Sequence, residues 1–171
     1  MEHSVSEAVP LSFGERLANS QAFSDLFREG MTLVEETASY LDGPGRQESK
    51  KLDRTAALGY ATESMRLTTR LMQLASWLLL HRAVKEGEMS LAQANKEKSK
   101  IKLSALDTAD EKALRNLPER LQTLITRSRG LQLSVRRLDA TMHATPDMAK
   151  SRQGNPVERQ IGLLRAAFER E

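Results

Sequence analysis

The amino-acid sequence predicts an all-α protein: an antiparallel three-helix bundle with a short helix in its second connection and a flexible C-terminal tail. Three long stretches carry apolar residues at helical spacing, each bounded by glycine, proline or a capping residue. No stretch alternates apolar and polar side chains as a half-buried strand does. Hydrophobic residues make up 39% of the chain but aromatic residues only 4%, so the core must be chiefly aliphatic, as helical bundles often are. At 171 residues this suffices for one domain with tails.

Residues 1–19 hold Pro10 and Gly14 and show little periodicity; Leu11, Phe13 and Leu17 suggest an N-terminal strap packing back onto the domain. The bundle proper is expected over 20–144. Ser20 is placed to cap a first helix over about 20–42, in which Phe23, Leu26, Phe27, Leu33, Val34 and Leu41 recur at helical spacing. Gly43-Pro44-Gly45 stops it.

A second helix is expected over about 49–86, ended by Gly87. Leu58, Met65, Met72 and Leu79 lie seven apart with Ala61, Thr68 and Ala75 between them, which is a heptad seam. Leu67, Leu71, Leu74 and Leu78 form a second stripe. Two stripes make an apolar surface wider than one partner helix covers, so this reads as the central helix, buried on more than one side.

Ser90 with Gln93 has the form of a capping box, which places a short helix from Leu91 inside a connecting arm. Pro118 suits the first turn of a third long helix over about 117–142. There Leu117, Leu121, Leu124, Ser128, Leu131, Val135 and Leu138 follow a four-three spacing. Pro146, Gly154 and Pro156 then break helices, and 145–171 reads as a flexible tail. Within it Val157, Ile161, Leu164 and Phe168 fit a short amphipathic helix, below the ~12–15 residues at which an isolated helix is marginal in water.

Chemistry is sparse. The absence of cysteine excludes disulfides and thiolate metal ligands. None of His3, His81 and His143 is read as having a second histidine, cysteine or carboxylate at a metal-ligand spacing, and His81 reads as a polar residue favouring the end of its helix. There is no nucleophile elbow and no phosphate-binding glycine loop. Glu35-Glu36 and the Asp107, Asp110, Glu111 group read as solvated charge, whereas acid–base work needs two carboxyls in a cleft whose environments separate their pKa values. The expectation is a protein that is not an enzyme and needs no cofactor.

The formal charge of +3 is too small to name a partner. Lys96, Lys98, Lys100 and Lys102, with Arg127, Arg129, Arg136 and Arg137, nevertheless form a candidate basic face for nucleic acid or an acidic protein. Interspersed Glu97, Glu119 and Asp139 favour an ordinary solvated surface instead, and no aromatic residue interleaves the basic run as single-strand binding would require. Nucleic acid is the alternative reading. The longest apolar run, Leu71–Leu80, is broken by Gln73 and Ser76 and is about half the ~20 residues a membrane span needs. Met1-Glu2-His3-Ser4 has no signal-peptide character, so a cytoplasmic protein with no membrane partner is expected.

Two candidate partner-binding elements remain. Trp77, the only tryptophan, lies between the two stripes of the second helix and reads either as core or as an exposed anchor for self-association. Val157, Ile161, Leu164 and Phe168 of the tail read either as packed on the bundle or as a segment that docks a partner.

Several longer strings carry a resemblance. Leu11-Ser12-Phe13-Gly14-Glu15-Arg16, Phe27-Arg28-Glu29-Gly30-Met31, Val34-Glu35-Glu36 and Tyr40-Leu41-Asp42-Gly43-Pro44-Gly45-Arg46 occur in order. They are followed by Tyr60-Ala61-Thr62-Glu63-Ser64-Met65-Arg66-Leu67-Thr68-Thr69-Arg70-Leu71-Met72, by Ala75-Ser76-Trp77-Leu78-Leu79, and by Arg136-Arg137-Leu138-Asp139. The chain thereby resembles the alphaproteobacterial family of the regulator of CtrA degradation, over most of residues 11–88 and again in the third helix. The resemblance implies a three-helix, usually dimeric adaptor of the ClpX–ClpP protease. Such an adaptor joins a protease primed by a response-regulator adaptor, brings cargo such as cell-cycle transcription regulators, and accepts a further adaptor that binds cyclic-di-GMP. It also implies recruitment to a cell pole. No binding residue is transferred by the resemblance.

Overall fold

The structure, a computed structural model, describes residues 12–101 and 111–143. They form seven helices and, among the described residues, no strand: α1 (Phe13–Ala18), α2 (Gln21–Asp42), α3 (Pro44–Ser49), α4 (Arg54–Lys85), α5 (Leu91–Lys98), α6 (Glu111–Arg115) and α7 (Glu119–Met142). The long helices α2, α4 and α7 each pack on the other two, and α1 and α5 lie against this helical bundle.

Local chemistry sets most boundaries. The strap expected over residues 1–19 is in part a helix, because Ser12 and Glu15 close a reciprocal capping box that starts α1. Phe13 points out, 65% exposed, and Ala18 supplies the buried contact. Residues 1–11, including Leu11, lie outside the described residues. Ser20 caps α2 by accepting the Phe23 N–H.

The second helix does not begin near residue 49. α2 ends at Asp42, but Pro44 opens the short helix α3, where a proline at the first position leaves no N–H to orphan. The Tyr40 hydroxyl donates to Glu48 Oε2 at 2.7 Å, which ties α3 back to α2. α4 starts only after Asp53, whose side chain accepts the Ala56 N–H. Its end is a Schellman turn: Gly87 adopts φ +76°, and the N–H groups of Glu88 and Gly87 donate to the Ala83 and Val84 carbonyls. A residue with a Cβ would be strained there.

The core runs from Phe23, Leu33 and Tyr40 of α2 through Leu67, Leu71, Leu74, Trp77 and Leu78 of α4 to Leu121, Leu124, Ile125, Leu131 and Val135 of α7. α2 and α4 pack tightly at Gly30, where a Cβ would stand 2.4 Å from Leu78 Cδ1. Only one of the two stripes on α4 faces this core. Leu67, Leu71, Leu74 and Leu78 are buried, whereas Leu58, Met65, Met72 and Leu79 are 70%, 72%, 67% and 52% exposed. The expectation that α4 is covered on both apolar sides is therefore corrected: within one chain α2 and α7 cover one stripe, and the heptad seam turns outward.

Candidate functional site

Two features of the bundle can act beyond holding it together. The first is the outward seam of α4. Leu58, Ala61, Met65, Thr68, Met72, Ala75 and Leu79 alternate three and four apart, the spacing that keeps a straight stripe aligned with a partner helix. The large members are the four exposed residues just given, and Ala61 and Thr68 between them are exposed too. An apolar cavity of about 290 Å³ between α2 and α4, lined by Val34, Leu41, Leu71 and Met72 among others, adjoins the seam. Four large exposed apolar side chains in one straight row differ from the single scattered ones normal on a monomer.

The second is a polar cluster at the far end of α4. Trp77 is fully buried. Its indole lies between Phe23, 6.2 Å away between ring centres, and His81, stacked at 4.0 Å. Its Nε1–H donates to Asp139 Oδ1 of α7 at 2.8 Å. Trp77 as an exposed anchor is thus corrected: three residues after Leu74 it falls on the buried face of α4, and its one polar group finds its partner inside.

Asp139 also accepts from Lys98 of α5, at 2.9 Å on Oδ2. His81 Nδ1 lies 2.9 Å from the Trp77 carbonyl, and because a carbonyl only accepts, the imidazole proton sits on Nδ1. Its Nε2 then offers a lone pair to His143 Nε2, 3.1 Å away. Burial pushes the His81 pKa down to about 4. That of His143 is also lowered, first by burial and then by the Lys98 ammonium. Both rings are therefore neutral near pH 7. His81, Asp139 and His143 place one ligand atom each within 4.8 Å of the others.

The sequence reading missed this cluster and took His81 for an isolated helix-end residue. The one local signal was Asp139 and His143, four apart on one helix face; His81, 62 positions from His143, has no local relation to them.

The candidate basic face is not brought together. Along α7 a turn of about 100° per residue puts Arg129 and Arg136 on one side and Arg127 nearly opposite. Arg127 pairs with Glu36 of α2, Lys98 with Asp139 and Lys100 with Glu97. Arg129 and Arg136 are half-buried, Lys96 and Arg137 are exposed, and Lys102 lies outside the described residues. So do Val157, Ile161, Leu164 and Phe168 of the tail. No helix among the described residues is long and apolar enough to cross a membrane.

Comparison with known proteins places this geometry in context. A family model described as "Protein of unknown function (DUF1465)" matches residues 14–168. Among solved structures, the chain is similar to the crystal structure of RcdA from Caulobacter crescentus CB15, with 53% sequence identity over 75% of this chain and 96% of that one, and a TM-score of 0.62. A comparison with curated proteins found no match.

Proposed function

Because the chain belongs to the RcdA family, we propose that it is a non-enzymatic adaptor that tethers cargo proteins, such as cell-cycle regulators, to a primed ClpX–ClpP protease. In this reading α2, α4 and α7 are the antiparallel three-helix bundle of such an adaptor. Tethering converts a weak bimolecular encounter into an effectively intramolecular one and requires no chemical step by the adaptor. The observation that carries the reading is the outward heptad seam of α4: a helix presenting large apolar side chains at every seventh position is suited to hold another protein.

We assign the seam to a second copy of the chain. A symmetric partner offers the same three-four spacing, so two seams mesh along their length as a coiled coil does. Replacing Met65 and Met72 together with glutamate should weaken self-association at least tenfold, read by sedimentation velocity at tens of micromolar. The melting temperature of the monomer should hardly change, because both side chains are exposed. A wild-type protein that stays monomeric at those concentrations removes the assignment.

The functional test is a pull-down. Tagged full-length protein is expected to retain ClpX only when the priming response-regulator adaptor is present, and a chain lacking residues 146–171 should retain less cargo. Folded protein that retains no ClpX with or without the primer would overturn the adaptor reading.

A further inference from the structure

We infer that His81, His143 and Asp139 bind a divalent transition-metal ion of the zinc type, which staples the end of α4 to the end of α7. Zinc takes imidazole nitrogen and carboxylate oxygen at ~2.0–2.2 Å, and a tetrahedron of that size has edges of roughly 3.3 Å. The two Nε2 atoms are 3.1 Å apart, and His143 Nε2 is 3.6 Å from Asp139 Oδ1. The remaining separation, between His81 and Asp139, lies within 4.8 Å, and closing it requires the Asp139 carboxylate to shift against its bonds to Trp77 and Lys98.

The groups behind the ligands are already in place. A ligating histidine characteristically donates its other ring N–H to a carbonyl or carboxylate, which fixes its tautomer and aim. His81 does so through Nδ1–H to the Trp77 carbonyl, leaving the Nε2 lone pair directed at His143. Asp139 is oriented by the Trp77 indole N–H on Oδ1 and by Lys98 on Oδ2.

Binding requires His143 to carry its proton on Nδ1, a tautomeric change with no net proton released, since both rings are neutral near pH 7. The side chain of His143 is 10% exposed, so a water can enter on that edge as the fourth ligand. Lys98 holds Asp139 Oδ2 and the Trp77 indole N–H holds Oδ1, so the ion takes the second lone pair of Oδ1, the oxygen nearer His143 Nε2, with the carboxylate shared between two cations. That sharing keeps the affinity below that of a site with an undivided carboxylate.

The test uses full-length, tag-free protein stripped with a chelator and titrated with cobalt(II), whose four-coordinate complexes absorb strongly in the visible. The expected result is one equivalent of cobalt giving that absorption, displaced by one equivalent of zinc, with a rise in melting temperature. Proton NMR of the cobalt form should show the imidazole signals of His81 and His143, but not of His3, shifted by the paramagnet. His143→Gln, at the edge of the cluster, should bind roughly tenfold or more weakly. No visible absorption at millimolar cobalt, or paramagnetic shifts at His3 alone, would overturn the inference. So would unchanged affinity in a folded His143→Gln. The wild-type measurements decide the matter even if that variant fails to fold.

Discussion

Trp77→Ala should cost about 3–5 kcal/mol of folding stability, the range for truncating a large buried aromatic ring. The indole is fully buried between the Phe23 ring and the His81 imidazole, so its removal leaves a cavity that α2 and α4 cannot close without moving at Gly30, where they already touch. It also takes from Asp139 one of its two donors from other helices. Trp77→Phe keeps most of the ring and loses the N–H, so it should cost less, about 1–2 kcal/mol. Urea unfolding followed by circular dichroism separates the two variants. A loss below about 1 kcal/mol for Trp77→Ala would place the ring outside the core.

Acidification should destabilise the metal-free protein well before most carboxylates titrate. His81 has a pKa of about 4 in the fold, chiefly because it is buried; the bond to the Trp77 carbonyl raises it, His143 lowers it, Asp139 raises it and Lys98 lowers it. In the unfolded chain it titrates near 6.5. Between these values the unfolded state binds the proton and the folded state does not, so stability rises with pH across that window. The contribution is complete above about pH 6.5, is lost as pH falls toward 4, and amounts to about 3 kcal/mol. His143, whose pKa is also lowered, adds in the same direction. Urea midpoints measured with chelator present at pH 7.5, 6 and 5 should fall in that order. His81→Gln should flatten the slope between 6.5 and 5. A flat wild-type profile, or one rising on acidification, contradicts a neutral buried His81.

Much of the fold was legible because helix ends are decided locally. Ser20, Ser90 with Gln93, and Gly87 act within four residues of themselves, and each does in the structure what its neighbours imply. Asp53 is an equally local cap, and a start near 49 overlooks it. The seam of α4 was legible as a stripe but its outward orientation was not: Leu58, Met65, Met72 and Leu79 are as apolar and as regularly spaced as Leu67, Leu71, Leu74 and Leu78. Which stripe meets the chain's own α2 and α7 depends on how the three helices settle together. The basic residues failed for a related reason. The partner of Arg127 is Glu36, 91 positions away, and a count of charges along the chain does not see it.

Asp139 has a consequence for how this protein opens. One carboxylate on α7 holds Trp77 of α4 and Lys98 of α5 at the same time. α5 carries only Ala94 as a buried residue and would by itself belong to the least protected part of the molecule. Tethered through Asp139, its fluctuations are coupled to those of the last turns of α7, and amide protons in the two segments should exchange with solvent at similar rates. The carboxylate thus adds to the packing of Ala94 and Leu91 in joining to the bundle a helix too short to be stable alone.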